Sequence, residues 1–275
     1  MSVLPKIRLK NVRKTFGAPR SGTETLAVDD VSLDVLTGEF LCIVGPSGCG
    51  KSTLLNIIAG LEMPTSGVVE MDSRPITGPG AERGVVFQDY ALFPWNTVEE
   101  NIGFGLRHRA GPRPSPDERR RKVAEYIELV ALSGAEHKFP HQLSGGMRQR
   151  CALARSLANE PEVLLMDEPL AALDAQTRLI LQEELLRIWG QERRAPERKT
   201  VVFVTHGIDE AVFLGDRVAV MSSHPGRMKE IIVVDLPRPR LETMRASPEF
   251  QALTAQIWNH IRDEAYRATV APLER

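Results

Sequence analysis

An α/β fold built on a mostly parallel sheet is what this sequence predicts, and three observations carry that reading. Short β-like runs alternate with helical patterns along the chain, the order that strand–helix–strand units produce. The run FLCIV at 40–44 is continuously apolar, as a central strand covered on both faces must be. A glycine-rich turn comes directly after it and opens a helical pattern at 51–59, which Gly60 closes in the expected position just past a helix end.

The remaining elements can be taken in chain order. Residues 7–35 contain alternating stretches such as Val31, Leu33 and Val35, typical of half-buried strands. Further apolar strands are expected at 84–87, 163–166, 201–205 and 217–221. Between 90 and 158 the pattern turns mainly helical, interrupted by a Gly/Pro-rich stretch at 110–116, and reads as a helical subdomain inserted into the α/β core. Residues 175–189 place Leu181, Leu185, Ile188 and Trp189 on one face, the spacing of a core-packed amphipathic helix. No internal repeat is visible. After Asp235 the composition changes to LPRPRLETMRASP, a linker by composition, and then to a helical tail at 248–267. The expected division is one main domain over 1–237 and a linker with helical tail over 238–275.

Bulk properties exclude several classes. The chain has 275 residues, 42% apolar and 26% charged, enough for one large domain or two small ones with ample core. A net charge of −1 gives no global attraction to nucleic acid or an acidic membrane surface. The opening MSVLPKIRLK lacks the apolar segment of a signal peptide, and no apolar run approaches the roughly 18 residues that span a bilayer. Cys42, Cys49 and Cys151 are too few and wrongly spaced for a disulfide framework or a zinc site. A soluble cytoplasmic protein is expected.

The strongest chemical signal is Gly45-Pro46-Ser47-Gly48-Cys49-Gly50-Lys51-Ser52-Thr53, which fits the phosphate-loop pattern GxxxxGK[ST] in its required strand–turn–helix context. Glycines let successive backbone N–H groups converge on phosphate oxygens, and the helix that starts there adds the positive end of its dipole. Lys51 supplies a point charge for the β- and γ-phosphates of ATP, and the Ser52 hydroxyl can ligate Mg²⁺. A second signal is the run from Glu162 to Pro169, an apolar strand ending in Asp167 and Glu168. Alone, such a run marks only a strand end. Beside a phosphate loop, Asp167 suits the metal, through water, and Glu168 suits orienting and polarising the attacking water.

The third signal, Leu143-Ser144-Gly145-Gly146-Met147-Arg148-Gln149-Arg150, resembles the signature motif of ABC-type ATPases and lies shortly before the acidic strand. At a helix start, Ser144, Gly145 and Gly146 make a second phosphate-binding surface. The resemblance implies that this surface closes on ATP held by the phosphate loop of a second copy, so that dimerisation is part of the mechanism. Other elements of the family appear in order across nearly the whole chain. Gln88 resembles the glutamine that contacts metal and attacking water and links to the membrane partner. Ala172-Leu173-Asp174 looks like the D-loop at the dimer seam. His206 resembles the switch histidine that contacts the γ-phosphate, and Phe16 occupies the place of the aromatic residue stacked on adenine. Singly, each has a bland alternative: a polar strand end, a helix-cap neighbour, a core aromatic. Their order along the chain favours the functional set.

The resemblance implies a P-loop NTPase core of ABC ATPase type, with an antiparallel β subdomain and an inserted helical subdomain. Within the superfamily it is nearest to ATPase subunits of bacterial nitrate/sulfonate/taurine importers, through Gly78-Pro-Gly-Ala-Glu-Arg-Gly-Val-Val-Phe-Gln88, Leu92-Phe-Pro-Trp95, Leu173-Asp-Ala-Gln-Thr-Arg178 and Pro225-Gly-Arg227. Met147, Ala171, Gly207 and Phe16 depart from the commonest patterns. The implied role is that of an energy-coupling importer ATPase at the cytoplasmic face of the cell membrane, attached through permease subunits and served indirectly by a periplasmic solute-binding protein. Leu92, Phe93 and Trp95 are expected to offer the permease an apolar surface. The cargo implied is taurine or an alkanesulfonate first and nitrate second. An exporter ATPase is the alternative, as is a soluble ABC ATPase acting on nucleic acid or ribosomes. The second usually carries a long coiled-coil insertion or two ATPase halves, whereas this chain has one phosphate loop. The basic run 107–122 has no interleaved aromatics and reads as a solvated face, so no nucleic-acid partner is expected. Cys49 could sense oxidation, but a small spacer is the plainer reading.

Overall fold

The computed structural model describes residues 5–17, 24–108, 114–190 and 198–270. The chain forms two compact units, one of Met1–Gly80 with Gln191–Arg275 and one of Ala81–Gly190.

The first unit holds two sheets. β1 (Ile7–Phe16) pairs antiparallel with both β2 (Thr25–Val35) and β4 (Ser66–Met71), and β5 (Arg74–Pro75) extends β4. Ile7, Leu9, Val12, Val31, Leu33 and Val35 are buried while the residues between them face outward, the period-2 code of a half-buried sheet. The second sheet has β3 (Phe40–Val44) at its centre, parallel to β8 (Thr200–Thr205) on one side and β9 (Arg217–Met221) on the other. β10 (Met228–Val233) closes that side antiparallel to β9. Every residue of β3 is fully buried, which is why its sequence is continuously apolar rather than alternating. Phe40 and Phe203 pack with ring centroids 5.8 Å apart across that pairing. β3 leads through the glycine turn into α1 (Lys51–Ala59), which ends with the Gly60 N–H donating to the Ile57 carbonyl at 3.1 Å.

The C-terminal part of this unit carries α7 (Ile208–Leu214) and α8 (Pro248–Val270). The segment between β10 and α8, a linker by composition, is docked. Arg240 is buried and donates to the carbonyls of Val212 (2.9 Å) and Gly215 (3.2 Å), and Arg238 ion-pairs with Asp216 at 2.8 Å. Phe250, Ile257 and Ile261 of α8 are buried.

The second unit pairs β6 (Arg83–Val86) in parallel with β7 (Val163–Asp167). Between them run α2 (Val98–Ile102), α3 (Phe104–His108), α4 (Pro116–Leu129) and α5 (Gly145–Leu157), and α6 (Ala175–Trp189) comes after β7. Val98, Ile102, Leu106, Val123, Ile127 and Cys151 form its helical core, with Met147 packed on the side. Met147 therefore fits the signature helix by packing, since an unbranched apolar side chain fills the gap there. In α6, Leu181, Leu185 and Trp189 are buried as their spacing predicts, and Ile188 is half-buried. Of the basic run 107–122, Arg109 and Arg113 lie outside the described residues. Arg120 pairs with Asp117, and Lys122 pairs with Glu160 at 2.8 Å. All three cysteines are buried free thiols.

Candidate nucleotide site

In the first unit, the phosphate loop begins where β3 emerges from the sheet. Gly45 is a close approach: a Cβ there would lie 2.8 Å from the Met221 carbonyl oxygen and 2.9 Å from Cys49 Sγ. Gly50 combines a φ of 93° with a virtual Cβ 2.7 Å from the Ala27 carbonyl oxygen, so position and conformation both demand glycine. Gly50 is also the N-cap of α1 and no side chain caps that helix. The first-turn N–H groups of a helix have no acceptor within it, which leaves this turn suited to an anion.

Lys51 is only 5% exposed. Its Nζ donates to the carbonyls of Gly45 (2.9 Å) and Pro46 (3.0 Å), with Cys49 Sγ at 3.9 Å, so the ammonium is centred in its own loop. Ser52 is exposed and Thr53 half-buried on the first turn. Burial pushes the Cys49 thiol above its usual range, which keeps it protonated and favours the spacer reading over a redox sensor. Phe16, at the end of β1, is 40% exposed with Lys14 Nζ 4.8 Å from its ring centroid. It offers an aromatic face to solvent rather than filling the core.

Sequence reasoning missed the brace behind the loop. Gly226 donates its N–H to the Ala27 carbonyl at 3.0 Å and accepts from the Asp29 N–H at 2.9 Å. A Cβ on Gly226 would lie 1.9 Å from the Cys49 carbonyl oxygen, so this segment packs directly on the phosphate loop. Arg227 Nε donates to Asp29 Oδ2 at 2.9 Å, and Arg13 Nη2 lies 2.6 Å from Oδ1. The Arg227 hydrogen bond, helped by Arg13, holds the Asp29 carboxyl below the usual carboxylate range.

His206 is exposed just past β8. Gly207 is the N-cap of α7 and has no capping side chain. Its N–H instead donates to Thr205 Oγ1 at 2.9 Å, and the Thr205 hydroxyl donates to the buried carboxylate of Glu210. Thr205 and Glu210 thus do the work that a capping side chain at 207 would do. The available signal was an acid at the third helical position with no cap before it. Thr205→Val removes the acceptor for Gly207 and a donor to Glu210. The expected loss in unfolding free energy is about 1–3 kcal/mol, read from urea melts; an unchanged midpoint would remove this pair from the role.

The second unit carries the other predicted residues. Gln88 is exposed in the turn after β6. Of the three apolar residues expected at the surface, only Trp95 is, at 71%; Leu92 and Phe93 are half-buried. Phe93 packs with tilted rings against Phe104 (centroids 4.3 Å) and Trp95 (5.6 Å), so aromatic packing claims the side chain that the sequence left facing outward.

β7 ends in Asp167, half-buried, and Glu168 comes next at φ 43°. A left-handed backbone at a non-glycine residue costs about 1–2 kcal/mol and persists where the surroundings require it, commonly at functional sites. Ser144 is the N-cap of α5, accepting from the Met147 N–H at 3.3 Å, with Gly145 and Gly146 as the first helical residues. Asp174 caps α6 in the same way, accepting from the Thr177 N–H at 2.9 Å, and those bonds hold its carboxyl below the usual range. The structure therefore places Phe16, residues 45–53 and His206 in the first unit, and Gln88, residues 144–146, Asp167, Glu168 and Asp174 in the second.

A buried strand, a glycine loop with a centred lysine and an uncapped helix start define a phosphate-binding P-loop protein. The chain belongs to the ABC transporter family, whose profile matches residues 28–171. As a member of it, this protein is an ATP-binding ATPase. It is 47% identical to the nitrate import ATP-binding protein of Synechococcus elongatus, with 93% of this chain and 90% of that protein aligned. It is 48% identical to the aliphatic sulfonates import ATP-binding protein of Bacillus licheniformis, over 89% of each. A solved ATP-binding cassette, a dimer in a post-hydrolysis state bound to ADP and phosphate, matches at 35% identity and TM-score 0.72, covering 84% of this chain and 100% of that one. Among the described residues no helix is long and apolar enough to cross a membrane.

Proposed function

We propose that this chain is the energy-coupling ATPase of an importer for a small anion, with taurine or an alkanesulfonate as the first choice of cargo and nitrate as the second. The observation that supports the mechanism is that one chain carries two helices opening on glycine-containing turns, α1 with Gly50 as its N-cap and α5 with Gly145 and Gly146 directly after Ser144. In this reading Phe16 stacks on adenine, the loop 45–53 and Lys51 hold the β- and γ-phosphates, and His206 contacts the γ-phosphate. Glu168 orients the attacking water. Ser144, Gly145 and Gly146 of a second copy close over the same nucleotide, with Asp174 at the seam.

Mg²⁺ suits the residues present. Among the described residues no cluster of three or more His, Cys, Asp or Glu could hold a metal, so a dedicated protein cage is not the design. Mg²⁺ is commonly bound by one or two protein oxygens plus the substrate's phosphates, and in this reading those oxygens would come from Ser52, Gln88 and Asp167. When bound, the ion neutralises charge on the transferring phosphoryl group.

A membrane permease is the proposed partner, meeting the loop 88–95, where Trp95 supplies exposed aromatic area of the kind that anchors interfaces. A periplasmic solute-binding protein would act only through that permease, and the chain would work at the cytoplasmic face of the membrane. The cargo reading rests on the named relatives and on the sequence segments 78–88 and 222–227.

The shared-site reading has a direct test. Sedimentation should show a monomer or weak dimer without nucleotide and association on adding Mg²⁺-ATP, strongest in Glu168→Gln. No association even in that variant would sink the reading. The cargo is tested by deleting the gene in a strain without a redundant transporter. Growth on taurine or an alkanesulfonate as sole sulfur source, or on nitrate as sole nitrogen source, should fail for the true cargo; undiminished growth on all would overturn the assignment.

A further inference from the structure

The loop after β6 is hydrogen-bonded to the last turn of the signature helix and lies beside its first turn. Tyr90 (φ 60°) and Ala91 (φ 47°) are consecutive non-glycine residues in the left-handed region, an unfavourable pair that something must hold in place. Arg155, in the last turn of α5, does so: its guanidinium donates to the Tyr90 carbonyl at 2.9 Å and also to the Ala91 carbonyl. The same guanidinium lies 5.7 Å from the Phe93 ring centroid, and Phe93 packs at a tilt against Trp95. Tyr90 reaches the other end of the helix, its Oη 4.0 Å from the position a Cβ would take on Gly145. Arg148 flanks the ring at 6.0 Å. The Tyr90 hydroxyl is buried and has no hydrogen-bond partner. A buried, unpaired hydroxyl is unfavourable, and deleting it by mutation to Phe is neutral or stabilising. The folded monomer alone therefore gives no reason to prefer tyrosine here.

We propose that Tyr90 and Arg155 are positioning residues: together they strap the loop 88–95 to α5, so that the phosphate-binding turn at Ser144–Gly146 and the Trp95 surface move as one body. A rigid helix bonded to the loop at its last turn, with Tyr90 beside its first, passes a displacement of the loop to that first turn. The reverse also holds, so closure of the signature turn on a second copy's nucleotide must register in the loop. The Tyr90 hydroxyl gains its partner in that closed state. This proposal rests on the shared-site reading.

The test uses full-length Glu168→Gln protein and amide hydrogen exchange of residues 89–96, with and without Mg²⁺-ATP. Protein concentrations that do and do not support the dimer separate the effect of association from direct contact between Gln88 and nucleotide. The dimer should slow exchange of this segment by about tenfold. Adding Arg155→Lys, which keeps the charge but loses the fork spanning two carbonyls, should cut that protection to less than about twofold. Adding Tyr90→Phe should also reduce it, with a melting midpoint unchanged or raised, a pairing that a merely structural role does not give. Equal protection in both variants, or a dimerising parent without loop protection, overturns the strap. A parent that fails to dimerise overturns the shared-site reading and the strap with it.

Discussion

Glu168→Gln protein should bind Mg²⁺-ATP normally and hydrolyse it about 10²–10⁴-fold more slowly, the usual worth of a positioned general base. The two functions are built from different parts of the chain. In the proposed function, phosphate binding would draw on the turn between β3 and α1, where a Cβ on Gly45 or Gly50 would collide with the Met221 or Ala27 carbonyl and Lys51 is centred in its loop. Glu168 comes directly after β7, in the other unit of the chain, with a backbone φ of 43°. Glutamine keeps the size and the hydrogen-bonding reach but cannot take a proton from water. The Ala171 N–H donates to the Glu168 carbonyl at 3.2 Å, a backbone bond that the substitution does not remove. Equilibrium titration with nucleotide and single-turnover phosphate release separate the two effects. Near-normal hydrolysis would remove Glu168 from the catalytic role, and a matching loss of affinity would show that it serves binding instead.

Legibility in the sequence depended on whether the deciding interactions were local. β3, its glycine turn and α1 were legible because a buried strand, a positive-φ turn and a helix stop each leave a mark within a few residues. α6 was legible because its 15 residues are enough to show a helical period. β4 and β5 left no mark: only Val69 and Met71 of β4 are buried, and β5 is two residues long. β10 is an edge strand with Val233 64% exposed, and α7, at seven residues, is too short for a period to emerge. The Pro/Arg-rich segment after Asp235 reads as a linker because Arg238 and Arg240 look solvated, whereas their acceptors, Asp216 and the carbonyls of Val212 and Gly215, come from elsewhere in the sequence. The site divides in the same manner. The residues proposed for the site lie in contiguous motifs that can be read locally, and the Thr205–Glu210 pair left a local mark in the uncapped helix start, whereas Asp29 and Arg227 lie 198 residues apart and leave none.

Lys51→Ala is the complementary change, and it should strike binding rather than chemistry. A charge-assisted hydrogen bond contributes about 1.5–3 kcal/mol, so losing the ammonium should weaken ATP affinity by about 10- to 100-fold. The buried position sharpens the expectation: at 5% exposure the ammonium is little screened by solvent, and the phosphates would meet it in a loop of converging N–H groups. The same side chain also ties the loop together through the Gly45 and Pro46 carbonyls, so the variant should melt at a lower temperature even without nucleotide. Lys51→Arg separates these contributions. It keeps the charge, but a planar fork does not fit a cradle shaped around a compact ammonium, so affinity should stay low although net charge is unchanged. Titration with a fluorescent ATP analogue, beside thermal melts of the free protein, reads both effects. Full affinity in Lys51→Ala would mean that the backbone N–H groups and the start of α1 suffice to hold the phosphates, and the lysine would then be a loop clamp alone.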